Sequence, residues 1–91
     1  MKLKNVSNWS VYIIRADDDS FYTGISTDVN RRFSEHCEKA GGAKYFNGRK
    51  PVEIVYQEHG HDRSSASRRE NEIKRLSRQQ KLRLIGDAVG A

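Results

Sequence analysis

The chain has 91 residues, 35% of them hydrophobic, and carries a formal charge of +5 with a sequence pI near 9.6. One small domain with a thin core fits that length, the lone Cys37 excludes an internal disulfide, and no apolar run reaches the roughly 18 residues that span a bilayer. With no apolar leader in MKLKNVSNWS, these features predict a cytoplasmic protein without membrane contact, whose basic surface draws polyanions, nucleic acid above all.

Residues Trp9 to Ala16 and Phe21 to Ser26 have the composition of strands, and Asp17-Asp18-Asp19 with Ser20 supplies turn chemistry, so the first element is a β-hairpin. Loop length decides where its tyrosines point. Directly opposed residues in an antiparallel pair have a constant index sum, and side chains alternate faces. If Ala16 pairs with Ser20 around a three-residue loop, Tyr12 lies opposite Gly24, Tyr22 lies opposite Ile14, and both phenols share one face. A two-residue loop separates them. Thr27-Asp28 then caps a helix over about 29–39, with Val29, Phe33 and Cys37 as its buried stripe and Gly41-Gly42 as its end.

Residues 43–50 are basic and irregular, with room for a short helical turn. PVEIVYQE alternates as a third strand, placing Val52, Ile54 and Tyr56 on one face and Val55 on the other, and His59 to Asp62 close it. A helix is predicted from about Ser64 to Leu76. A last helix begins at Ser77, where Ser77-Arg78-Gln79-Gln80 has the form of a capping box and Leu82 and Ile85 turn inward. The order β-β-α-β-α-α predicts an α+β fold, a small three-stranded antiparallel sheet flanked by helices.

Some positions suit chemistry as well as they suit structure. Arg32 and His36 are four apart and lie on one helix face beside the buried stripe, where they either line a cleft or form a solvated flank. Arg31 and Glu35 read as an exposed ion pair. Glu70 falls between Ala66 and Ile73 on the inward side of its helix, so its carboxylate needs an arginine, several hydrogen bonds or a metal to offset desolvation. His36, His59 and His61 do not sit at zinc spacing with Cys37, and no glycine pattern forms a phosphate loop.

Taken in order, these residues resemble the GIY-YIG endonuclease superfamily, in particular its small stand-alone members. The first motif stands as Ser10-Val11-Tyr12 and the second as Tyr22-Thr23-Gly24. YTGISTDVNRRFSEH matches the family spacing of tyrosine, glycine, arginine (Arg32) and histidine (His36). SASRRENEIKRLSRQQK looks like the helix that bears the metal-binding glutamate, here Glu70, and GAKYFNGRKPVEIVYQE also looks like the stand-alone group. The similarity runs from about Trp9 to Ile85. Ser10 replaces the family's first glycine, and the late asparagine that some members carry near the active site has no counterpart after Glu70.

The resemblance implies a metal-dependent endonuclease that hydrolyses DNA phosphodiester bonds, structure-guided or weakly sequence-specific, acting in DNA repair or processing. It implies one of the two tyrosines as general base, Tyr12 being the first choice, with Tyr22 orienting water or binding phosphate and Arg32 neutralising the phosphoryl oxygens. His36 would position Tyr or hold the phosphate, Gly24 would make room for Tyr12, and Glu70 would hold one Mg or Mn ion. Lys39, Lys44, Arg49, Lys50, Arg68, Arg69, Lys74 and Arg75 are candidates to track the backbone of branched, flapped or nicked DNA. A protein partner would supply further specificity. The alternatives are a non-cleaving nucleic-acid-binding module and a protein-interaction module on the same fold.

Overall fold

The computed structural model describes residues 8–38 and 44–90, with backbone alone for 87–90. Strands β1 (Trp9–Ala16) and β2 (Phe21–Ser26) form the hairpin. Ala16 N donates to Ser20 O at 2.9 Å, and Asp19 N donates back to Ala16 O at 2.9 Å. Asp19 takes φ 66°, a left-handed conformation that a short carboxylate side chain tolerates better than most. The Asp18 carboxylate accepts from the backbone and hydroxyl of Ser20 and locks the turn. The loop is therefore the three-residue one, with Tyr12 opposite Gly24 and Ile14 opposite Tyr22.

Strand β3 (Pro51–His61) pairs antiparallel with the other edge of β1, giving the order β2-β1-β3 and leaving β1 at the centre. Val11, Tyr12, Ile13, Ile14 and Ala16 are accordingly buried. Period-two alternation splits them between two cores. Tyr12, Ile14 and Ala16 pack with Val29 and Phe46 on one face, while Val11 and Ile13 pack with Ala66 and Ile73 on the other. Each fully buried isoleucine stabilises the fold by about 1.5–3 kcal/mol. Helix α1 (Val29–Glu38) covers the first face together with the short 3₁₀ turn at Lys44–Phe46. Helices α2 (Arg63–Lys74) and α3 (Arg78–Gly90) cover the second.

The helix starts carry the chemistry expected of them. Asp28 Oδ1 accepts from Arg31 N at 3.1 Å, Asp62 forms a reciprocal box with Ser65, and Ser77 forms one with Gln80. The described α1 ends at Glu38; Lys39 and Gly41-Gly42, predicted to end that helix, lie outside the described residues.

Five assignments need correction. Cys37 is exposed, and His36 is the fully buried residue of the last turn of α1. A helix turns about 100° per residue, so steps of four from Val29 to Cys37 drift about 80°, whereas three residues on from Phe33 the chain returns to within about 20° of Val29. On β3, Ile13 pairs with Tyr56 but Ile14 with Ile54, so the ladder slips by one residue. That irregularity sends Ile54 to the Tyr12 face and both Val55 and Tyr56 to the opposite one, while Val52 stays 44% exposed. Leu82 is also exposed, and Leu84 joins Ile85 in the core. Finally, Glu35 pairs with Arg32 at 2.8 Å, not with Arg31.

Gly24 is where sequence and packing meet most tightly. A Cβ there would stand 2.6 Å from Tyr12 Oη and 2.7 Å from its Cζ. Gly24→Ala should therefore lose about 1–3 kcal/mol in urea unfolding. An unchanged midpoint would mean that the Tyr12 ring is free to move aside.

Candidate active site

The hairpin register puts both phenols on the α1 side of the sheet, with ring centroids 6.2 Å apart. From α1, His36 enters the same space: its Nε2 lies 3.2 Å from Tyr12 Oη, and its ring meets Tyr22 edge-on at 5.2 Å. One turn earlier, Arg32 donates through Nη1 to Glu35 Oε1 at 2.8 Å and lies near enough to the Tyr12 phenol for its charge to act on it. From α2, Glu70 lies close enough for its charge to be felt at Tyr12. Its side chain is 20% exposed and its Oε2 is 3.1 Å from Lys74 Nζ. Tyr22, His36 and Arg32 thus surround the Tyr12 phenol, and the charge of Glu70 reaches it.

Burial decides the protonation of this cluster. Tyr12 is 1% exposed, and desolvation, then the neighbouring Tyr22 and more weakly Glu70, drive its phenol well above the usual tyrosine range, against the pull of Arg32. Desolvation and the positive charge of Arg32 push the His36 imidazole down, opposed by Glu35. At neutral pH the pair is a neutral phenol bonded to a neutral imidazole. Such a pair can take up a proton through the phenol only by placing the charge on the imidazole.

Sequence reasoning missed the aromatic wall behind the site. Tyr45 and Phe46 pack tilted against Tyr22 at 5.3 and 5.2 Å, and Phe46 meets His36 at 4.9 Å. The adjacent aromatics in Lys44-Tyr45-Phe46, set in a polar basic run, were the available signal. Beside the wall, among the described residues, a concavity of about 440 Å³ is lined by His36, Cys37, Arg49, Lys50 and Pro51.

The predicted DNA contacts fall into distinct groups. Lys44 and Lys50 are exposed. Arg49 is engaged, its Nε 3.0 Å from Asp18 Oδ2 and its guanidinium 4.2 Å above the Tyr45 ring. Arg69 is bound to Glu58 and Glu72, Arg68 to Ser64 and Lys74 to Glu70, while Arg75 is exposed. Lys39 lies outside the described residues.

Among the described residues no three His, Cys, Asp or Glu side chains gather as a metal cage. Among the described residues, Glu70 is the carboxylate whose charge is felt at Tyr12, while Glu35 is held by Arg32. Magnesium keeps several waters and is often bound through one or two carboxylates plus substrate phosphates, so this donor set fits a cation completed by substrate and solvent oxygens.

The depressed His36 has a consequence for stability. An unfolded histidine takes up its proton near pH 6.5, while folded His36 does so only at lower pH. The unfolded state therefore binds more protons in that interval, and this contribution to stability, complete above about pH 6.5, is lost as pH falls toward the folded pKa. Thermal melts should show a falling Tm in that window, and a shallower fall for His36→Gln. Equal slopes in the two proteins would show that His36 protonates as readily folded as unfolded.

Comparison with known proteins agrees with the geometry. The family model described as the GIY-YIG catalytic domain matches residues 8–83. A UPF0213 protein of Natronomonas pharaonis is 48% identical over 80 residues, covering 88% of this chain and 93% of that one. A UPF0213 protein of Staphylococcus aureus is 51% identical over 75 residues, covering 82% and 90%. The solution NMR structure of the UPF0213 protein from Bacillus halodurans is similar with TM-score 0.54 and 41% identity, covering 86% of this chain and 82% of that one. That of a protein from E. faecalis gives TM-score 0.61 and 30% identity, covering 100% and 94%. With the phenol pair, the helix arginine and histidine and the lone glutamate gathered as described, and the match spanning the whole sheet and α2, the chain belongs to the GIY-YIG catalytic-domain family.

Proposed function

We propose that the protein is an endonuclease that hydrolyses DNA phosphodiester bonds with the help of one divalent cation, Mg or Mn. Tyr12, Tyr22, Arg32, His36 and Glu70 are its catalytic residues. Family membership supports the reaction class. The observation that carries the assignment of roles is the 3.2 Å contact between Tyr12 Oη and His36 Nε2, made within reach of Arg32 and Glu70.

A phenol with an ordinary pKa near 10 is only about 0.1% ionised at pH 7, and burial makes Tyr12 a still weaker acid. Free phenolate is therefore a poor candidate for the base. A relay avoids the difficulty. Tyr12 donates its O–H to His36 Nε2 and accepts the proton of the attacking water on its own oxygen, so that positive charge ends on the imidazole and the phenol stays neutral. As the water oxygen bonds to phosphorus, the bond to the leaving oxygen breaks, and that oxygen leaves with a proton from solvent. Arg32 binds the non-bridging phosphoryl oxygens, and Tyr22, braced by Tyr45 and Phe46, orients the water. When bound at Glu70, the cation polarises the phosphate and stabilises charge on the leaving oxygen.

Exposed Lys44 and Lys50, with Arg49 beside them, lie near the aromatic wall and supply phosphate contacts. Contacts of that kind give affinity and salt dependence without reading bases, which supports weak sequence specificity.

The test is cleavage of nicked, flapped, branched and linear DNA in Mg or Mn. Glu70→Gln should abolish cutting and leave DNA binding in place, and Tyr12→Phe, which removes the relay oxygen, should slow cutting by about 10²–10⁴-fold. Cleavage indifferent to both substitutions would defeat the assignment. A second measurement concerns the ion pair on Glu70. Lys74 is a competitor for that carboxylate, and because the lysine is exposed the pair contributes about 0.2–1 kcal/mol. Titration of Lys74→Met with Mn should show binding up to about 5-fold tighter than wild type. Weaker binding would mean that Lys74 orients Glu70 for the cation instead of competing with it.

A further inference from the structure

We infer that Glu58, on the sheet face opposite Tyr12, is a positioning residue that sets where α2 holds Glu70. The catalytic significance of this placement rests on the nuclease reading; the placement itself does not.

Glu58 stands opposite Val11 in the ladder and so faces α2 with the second core. Its carboxylate accepts from Tyr56 Oη at 2.6 Å, from His61 Nε2 at 2.7 Å, and from Arg69 Nε at 3.1 Å on each oxygen. His61 carries the network onward through Nδ1 to Ser65 Oγ at 2.8 Å, and Ser65 closes the capping box of α2 with Asp62. One carboxylate thus grips the helix at its first turn and again at Arg69, the residue before Glu70. The groups are half-buried, with Glu58 24% and His61 19% exposed, so these charge-assisted bonds are less screened than on an open surface.

The apolar packing of α2 gives this grip its importance. Only Ala66 and Ile73 are fully buried on that helix. Ile73 anchors the helix three residues after Glu70, but on the N-terminal side a methyl group at Ala66 interlocks little with the sheet, so there burial alone resists rotation and sliding weakly. A displacement of about 1 Å at a catalytic group costs on the order of 10²-fold in rate. The commitment of Arg69 to Glu58 and Glu72 also explains a charged residue beside the site without assigning it to DNA.

The decisive measurement follows the Tyr12 ring resonances by NMR in four proteins: wild type, Glu70→Gln, Glu58→Gln and the double variant. In the wild-type background Glu70→Gln should displace the Tyr12 signal, because the Glu70 charge reaches that phenol. With Glu58→Gln already present the displacement should fall to less than about half, and kcat on DNA should drop roughly 10- to 100-fold with KM little changed. Glu53→Gln, which removes the Arg15 partner from the same strand, should leave both readouts at wild-type values. If Glu58→Gln fails to fold, Tyr56→Phe and His61→Gln each remove one donor and should reduce the displacement partway. An undiminished displacement in a folded Glu58 variant overturns the inference. A wild-type protein that cuts no DNA would instead defeat the nuclease reading, and the resonance cycle would still decide the placement of Glu70.

Discussion

Tyr12 is held by a fit that leaves it almost no freedom. Its ring lies against the bare backbone of Gly24 across the hairpin, and its hydroxyl is 3.2 Å from an imidazole that is itself fully buried. The hollow exists because the turn between β1 and β2 has three residues, and it is closed because α1 lays His36 over it. Every other feature of the site is defined relative to that phenol. Tyr22 is its neighbour on the same face, Arg32 reaches it from α1, and Glu70 approaches it from a helix that packs on the opposite side of the sheet.

The electrostatic design follows from the same burial. A protein with a +5 charge could have collected its guanidinium groups into an open positive patch. Instead, Arg15, Arg32, Arg49 and Arg69 each bind a carboxylate: Glu53 and Asp19, Glu35, Asp18, and Glu58 with Glu72. Most are exposed pairs that add little to stability, but they preset side-chain positions. Glu35 has a second effect. It offsets part of the depression that Arg32 imposes on His36, so the imidazole keeps more of its capacity to accept a proton.

Much of this was legible in the chain because the site is built from short-range regularities. The hairpin register follows from loop length and alternation, the capping box at Ser77 from residue types at fixed spacing, and the inward Glu70 from its place between Ala66 and Ile73. What could not be read was set by geometry that accumulates along an element or across the fold. Steps of four residues mark a helix face only until the drift about its axis carries them off it, which is why Cys37 is outside and His36 inside. The ladder irregularity near Val55 leaves no mark in an alternating apolar strand, yet it exchanges faces for Tyr56. Tyr45 and Phe46 join the site only through the chain's return past α1.

That exchange of faces has a chemical consequence. With uninterrupted alternation, Tyr56 would share a face with Ile54 and add a further phenol to the side of the sheet that holds Tyr12 and Tyr22. The one-residue slip turns it to the α2 side, where its hydroxyl donates to Glu58 at 2.6 Å. The sheet thereby keeps its polar work on two separate faces. On one, two buried groups, the Tyr12 phenol and the His36 imidazole, are bonded to each other with the charges of Arg32 and Glu70 at their margin. On the other, a carboxylate saturated by donors ties strand to helix. Glu70 is the residue where the two meet: its helix is secured on the ionic side, while its charge reaches the phenol on the other. A single acid can be placed that way only if the strand between the two faces is rigid, and β1, central and buried along nearly its whole length, meets that condition.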